Sequence, residues 1–150
     1  MDALLRNEIK TYIKNTDVIG MLSVSLTLKQ RSFGERLDNI NTSQNFRHFM
    51  NLLNTKVYGK QFKRFHKRIR VLPIIELSKD DRYHYHLIMD VPKHTTAFWL
   101  GEEIVNTWKK TKFGYRQVDI KQITDDGWTD YITKFKSKND QVDWVNVHWN

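Results

Sequence analysis

From Met21 to Lys29 the chain alternates: Leu22, Val24, Leu26 and Leu28 interleave with Ser23, Ser25, Thr27 and Lys29. Residues two apart on a strand share a face, so the pattern predicts a strand with one core face and one small, polar face. That polar face is either plain solvent-facing surface or the floor of a site. Val71 to Val91 holds two apolar runs separated by Lys79-Asp80-Asp81-Arg82, the signature of a hairpin. Tyr115 to Ile123 alternates through Val118 and Ile120, and Trp144 to Trp149 (W-V-N-V-H-W) predicts a last strand.

Helical spacing fills the gaps. Leu5, Ile9, Tyr12 and Ile13 lie on one stripe behind Asp2, predicting a short helix over Ala3 to Lys14. Gln30 to Asn41 is a polar connection. Phe46, Phe49, Met50, Leu53 and Val57 then recur at helical intervals, with Thr42 or Ser43 as the cap and Gly59 as the stop. Pro92 breaks the second hairpin strand, and Thr95 or Thr96 opens a helix carrying Ala97, Leu100, Ile104 and Trp108. Lys109 and Lys110 suit its C-terminus. Thr124-Asp125-Asp126 starts a last helix, with Trp128, Tyr131, Ile132 and Phe135 on its stripe as far as Lys138. This order predicts an α+β fold: a mainly antiparallel central sheet of about five strands flanked by helices. At 150 residues, one domain over 1–150 is expected.

The second hairpin run carries His84 and His86, which project together from one face, while Tyr85, Leu87 and Met89 point the other way. The first run carries Glu76 among Ile74, Ile75 and Leu77, and a carboxylate there needs a partner. An odd-length loop places Glu76 directly across from one of the histidines, on their face; an even one places it opposite. We expect the odd loop. Two imidazoles and a carboxylate then suit a divalent ion with coordination positions left for a substrate oxygen. The plainer alternative is a strand with two exposed histidines and a chance glutamate. His48 is taken as an ordinary surface residue.

Charge changes the picture. There are 25 basic against 17 acidic residues, a net charge of +8, which predicts an anionic partner. Lys60, Lys63, Arg64, Lys67, Arg68 and Arg70 cluster within eleven residues around Phe62 and Phe65. They form either a phosphate-binding patch or a solvated charged face. Cysteine is absent, so no disulfide frame or cysteine-zinc site exists. No apolar run reaches signal-peptide or membrane-span length, so a cytoplasmic protein without a membrane partner is expected.

On the last predicted helix Tyr131, Lys134 and Lys138 can share a face. A tyrosine can act as a covalent nucleophile, and a nearby ammonium favours its phenolate or grips a phosphate. Tyr131 also fits the stripe of Trp128 and Phe135, where core packing would explain it. Tyr83, Tyr85 and Tyr115 are rivals by residue type.

Together these residues resemble the HUH endonuclease superfamily, in particular the rolling-circle replication initiators called Rep proteins. His84-Tyr85-His86 matches the family's His-hydrophobic-His metal motif. Tyr131-Ile-Thr-Lys134 matches its Tyr-x-x-Lys nucleophile motif, and Leu22 to Leu28 loosely resembles its first motif. Glu76 stands where Rep proteins often bring a third ligand. The likeness spans roughly Met21 to Lys138. It implies an HUH nuclease fold of ferredoxin or RNA-recognition type. His84, His86 and Glu76 would hold Mg or Mn, with Co or Zn as substitutes in vitro. Tyr131 would become linked to a 5′ phosphate, with Lys134 positioning the phosphate or the tyrosine. The implied partner is single-stranded DNA at a replication origin, including one folded as a hairpin, and the basic patch and Lys138 would contact it. Position 135 is phenylalanine, so a single-tyrosine enzyme is expected. No G-x-x-x-x-G-K-[ST] loop occurs, so no helicase domain is expected. Single-tyrosine transposases share the motif order, but the lysine at i+3 favours Rep. Relaxases usually carry a third histidine. Outside the superfamily, the alternative is a non-catalytic nucleic-acid-binding domain.

Overall fold

The computed structural model describes Asn7, Thr11 and residues 16–78, 80–125 and 141–149. Strand β1 (Leu22–Leu28) is followed by a small hairpin, β2 (Arg31–Ser32) and β3 (Glu35–Arg36). Helices α1 (Asn39–Tyr58) and α2 (Lys60–Phe65) lead into β4 (Val71–Leu77) and β5 (Tyr83–Met89). Helix α3 (Ala97–Trp108), β6 (Gly114–Gln122), β7 (Gln141–Val142) and a 3₁₀ turn (Trp144–Asn146) complete the chain. The five-stranded sheet has the order β6-β1-β5-β4-β7, and every pairing is antiparallel. The expected α+β architecture is therefore the observed one. No described helix is long and apolar enough to cross a membrane.

Alternation decides which face is which. Leu22, Val24, Leu26 and Leu28 of β1 join Tyr85, Leu87 and Met89 of β5 under Phe46, Phe49 and Leu53 of α1 and Leu100, Ile104 and Trp108 of α3. Phe46 stacks on Tyr85 at 4.5 Å between centroids, and Trp108 meets Phe49 edge-on at 5.2 Å, geometries favoured by the ring quadrupoles. The opposite face has a smaller apolar cluster at one end, built from Val18, Met21, Leu72, Ile74, Ile88, Ile123, Val142 and Trp149.

Local chemistry sets the boundaries. Helix α1 begins earlier than Thr42 or Ser43 would have it. Asp38 is its cap: its side chain accepts from Asn41 N–H (2.7 Å), and Asn41 Oδ1 accepts from Asp38 N–H (2.7 Å). This reciprocal box makes Thr42 an interior, buried residue. Gly59 ends the helix as expected, at φ +56°, a conformation that costs glycine least. Thr96 caps α3. Gly114 cannot carry a side chain, because a Cβ there would lie 1.8 Å from Trp108 O. The polar connection contains the β2–β3 hairpin, which the composition did not reveal.

The W-V-N-V-H-W segment is not a strand. Asp143 N–H donates to Pro73 O (3.0 Å), but proline has no N–H to return. The ladder stops there, the chain turns through Trp144–Asn146, and pairing resumes only where His148 bridges Val71. The turn is held from inside. Buried Asp143 accepts from Tyr85 Oη (2.8 Å), Ser43 Oγ (2.9 Å) and Asn146 Nδ2 (2.7 Å). The predicted helix over Trp128 to Lys138 lies outside the described residues. So does the N-terminal one, apart from Asn7 and Thr11, where Thr11 Oγ1 donates to Asn7 O (2.8 Å).

Replacing Tyr85 by phenylalanine removes one donor from a buried carboxylate, which costs about 1–3 kcal/mol. In a chain of this size each kcal/mol shifts the thermal midpoint by about 2–4 °C. Calorimetry is expected to show Tyr85→Phe melting lower by a few to about ten degrees, with the fold retained.

Candidate active site

The loop between β4 and β5 is Ser78 to Arg82, an odd number of residues, and Glu76 pairs directly with His84. All three candidate ligands thus share the face away from α1 and α3. On the other side of β5, His84 stands opposite Thr27 and His86 opposite Ser25. The polar side of β1 is therefore the floor beside the histidines. Asp119 of β6 stands opposite Ser25 on the same face. Phase alone could have marked Asp119, since the alternation that buries Val118 and Ile120 turns residue 119 the other way.

His86 is held from both ends. Its Nε2 lies 2.5 Å from Glu76 Oε2, and its Nδ1 lies 3.1 Å from Ser25 Oγ. An ionised carboxylate only accepts, so Nε2 donates; in the neutral ring Nδ1 accepts from the serine hydroxyl. The His86 bond holds the Glu76 carboxyl below its usual range, against the opposing effect of burial. Burial pushes His84 below the ordinary imidazole range, with Glu76 pulling the other way. A carboxylate and a neutral imidazole are the forms a divalent ion requires. The donor types and their shared face fit such an ion. The side-chain directions are not yet those of a cage: among the described residues no three acidic or imidazole groups already converge as ligands, because Glu76 closes onto His86.

The rival tyrosines separate clearly. Tyr85 is fully buried, and burial together with Asp143 drives its phenol far above the usual range. Burial also raises Tyr83, on the same side of β5. Tyr115 is partly exposed on β6. Tyr131, Lys134 and Lys138 lie outside the described residues. Ile123 and Gln141, which bound that stretch, belong to opposite edges of the sheet.

The basic cluster is not beside the histidines. Lys60, Lys63 and Arg64 are exposed on α2, and Lys67 and Arg68 on the connection after it. Arg70 precedes the opposite end of β4 from Glu76, roughly 20 Å along the strand. It pairs with Asp90 (3.2 Å) and lies over the Trp149 ring, so part of its role is structural. Arg68 and Arg47 line a 450 Å³ cleft with His148 and Asn146. His48 is exposed, as expected of a surface residue.

Two pH windows follow. His84 is depressed in the fold, so the unfolded chain gains a proton first as pH falls below about 6.5. Glu76 is also depressed; its contribution is full above about 4.5 and is lost as pH falls through the folded value. Thermal midpoints measured from pH 8 to 3 without metal are expected to fall throughout the acid range. His84→Gln should flatten the upper part of that fall, and Glu76→Gln the lower part.

A model of the replication-associated protein ORF2 family matches residues 22–140. Neither a curated protein nor a solved structure gives a significant match. The match covers well over half of the chain, from the first residue of β1 past both histidines and Tyr131. The chain belongs to the replication-associated protein ORF2 family.

Proposed function

We propose that this replication-associated protein is a metal-dependent, single-tyrosine nuclease of HUH type, which nicks and rejoins single-stranded DNA to start rolling-circle replication. The observation that carries this reading is the register that sets Glu76 opposite His84 and within hydrogen-bond reach of His86, inside a family of replication proteins. His84, His86 and Glu76 would hold Mg or Mn. Bound there, a divalent cation supplies Lewis-acid polarisation of a phosphoryl oxygen.

The chain's own groups do the rest. Ser25 Oγ stays within reach of His86 Nδ1 whether that nitrogen accepts or donates, so the imidazole keeps its direction in either tautomer. Tyr131 is the nucleophile in this reading, and supports for it are the Tyr-x-x-Lys pattern and the burial of Tyr85. Its phenolic oxygen forms a bond to phosphorus as the bond to the 3′ oxygen breaks. The phenol proton is lost, and the departing oxygen takes up a proton to become a 3′ hydroxyl. One phosphodiester replaces another, so the 3′ hydroxyl can attack the phosphotyrosine and restore the strand. Lys134 stabilises the phenolate or the phosphate. Lys60, Lys63, Arg64, Lys67, Arg68 and Lys138 supply phosphate contacts that position DNA without reading its sequence.

Incubation with Mn²⁺ and a pool of randomised single-stranded oligonucleotides, followed by a denaturing gel, tests the reading. A protein–DNA adduct is expected, abolished by EDTA and lowered by roughly 10³-fold or more in Tyr131→Phe. His86→Ala should lower it as well. An adduct that persists in Tyr131→Phe would move the nucleophile to another tyrosine. Binding that is indifferent to EDTA and never yields an adduct would favour a non-catalytic nucleic-acid-binding domain.

A further inference from the structure

The tip of the β2–β3 hairpin carries an aromatic ring that no core contains. Phe33 is 95 % exposed, the most open of the exposed large hydrophobic residues. Its φ is +50°, where a bulky side chain is an outlier and the backbone is strained. An apolar ring held in water on a strained turn contributes nothing to folding. Strain of this kind persists where the surroundings over-determine it.

They do so here. At the root of the hairpin, Gln30 Nε2 donates to Leu28 O (2.9 Å) and Tyr83 O (3.2 Å), and Gln30 Oε1 accepts from Tyr83 N–H (2.7 Å). Leu37 N–H closes the root onto Gln30 O (3.0 Å). On the returning strand Asn41 Nδ2 donates to Arg36 O (2.8 Å), and Glu35 pairs with Lys112. The hairpin is thus fastened to β5 one residue before His84, to α1, and to the residues leading into β6. It rises from the end of the sheet where Thr27, His84 and Glu76 lie.

The flanking charge identifies what the ring meets. Arg31 and Arg36 pair across the hairpin and are exposed. Like charges so placed repel, and an anion between or beside them relieves that. A ring face beside cations is the chemistry that takes unpaired nucleotides, the ring stacking on the base and the cations meeting phosphate.

We infer that the β2–β3 hairpin is a stacking finger. Phe33 stacks on an unpaired base of the single-stranded DNA that the proposed nuclease reading brings to the histidine face, and Arg31 and Arg36 hold the neighbouring phosphates. Three extended residues from Gln30 reach about 10 Å, so the stacked base lies close to the phosphate that is cut. Stacking is indifferent to base identity, and the finger holds the strand without selecting it.

The test uses the full chain carrying Tyr131→Phe, so that cutting does not disturb binding. Fluorescence anisotropy is measured with labelled oligothymidylate and with a duplex of equal length. Adding Phe33→Asn is expected to weaken oligothymidylate binding between about 5-fold and about 150-fold, with duplex binding little changed. Asparagine tolerates positive φ, so the same variant is expected to melt about 2–4 °C higher. Phe33→Trp should keep the affinity. Weaker binding together with a higher melting point separates lost stacking from a damaged fold. Unchanged oligothymidylate affinity in Phe33→Asn would overturn the finger and leave the nuclease reading standing. A parent protein that binds no single-stranded DNA would overturn both.

Discussion

Pairing register is the constraint on which everything else rests. Strand β5 is held between β1 and β4, and its two faces carry incompatible chemistry: Tyr85, Leu87 and Met89 on one, His84 and His86 on the other. Period-two alternation means that a slip of one residue against either neighbour would exchange those faces. The histidines would enter the aromatic core, and the tyrosine would face water. The hydrophobic demand of Phe46 and Trp108 therefore aligns the imidazoles with Glu76. The site's geometry is a by-product of the core's.

The two faces also differ in how firmly their groups are held. On the helix side, aromatic rings are packed against one another, and Tyr85 reaches a carboxylate with three donors. On the other side, small hydroxyl residues line the floor, and the ligating groups have neighbours they can exchange. Glu76 bonds His86, yet both remain partly exposed. Such a surface can re-form around an ion and a phosphate without disturbing the core beneath it. A rigid layer thus supports an adaptable one, which is how a functional site keeps precision in position and freedom in coordination.

Much of this was legible in the sequence, because the signals were local. Alternation at Leu22 to Leu28 gave a strand and its polar face. The spacing of Glu76 and His84 gave a hairpin partner once the loop was taken as odd. The exceptions came from long-range or single-atom causes. Pro73 withholds one N–H and thereby ends the pairing of a segment some seventy residues later, which no reading of W-V-N-V-H-W could show. Asp38 outcompetes Thr42 and Ser43 because Asn41 answers it three residues on, a box with asparagine where glutamate or glutamine is usual. Asp119 was hidden by attention to the apolar phase of its strand. The basic cluster looked adjacent to the histidines in sequence, but an intervening strand carries it to the other end of the sheet.

The bonds to Asp143 impose an order in time. Their partners are Ser43 and Tyr85, separated from it by 100 and 58 positions. A chain is made from its N-terminus, so both hydroxyls exist long before the carboxylate that receives them. Until residue 143 has emerged, the Tyr85 hydroxyl lacks its acceptor within an otherwise apolar layer, and the outer edge of β4 lacks its neighbour. Contacts of such sequence separation form late and slowly. The strand bearing the histidines is thus among the earlier parts to be synthesised and among the last to be locked.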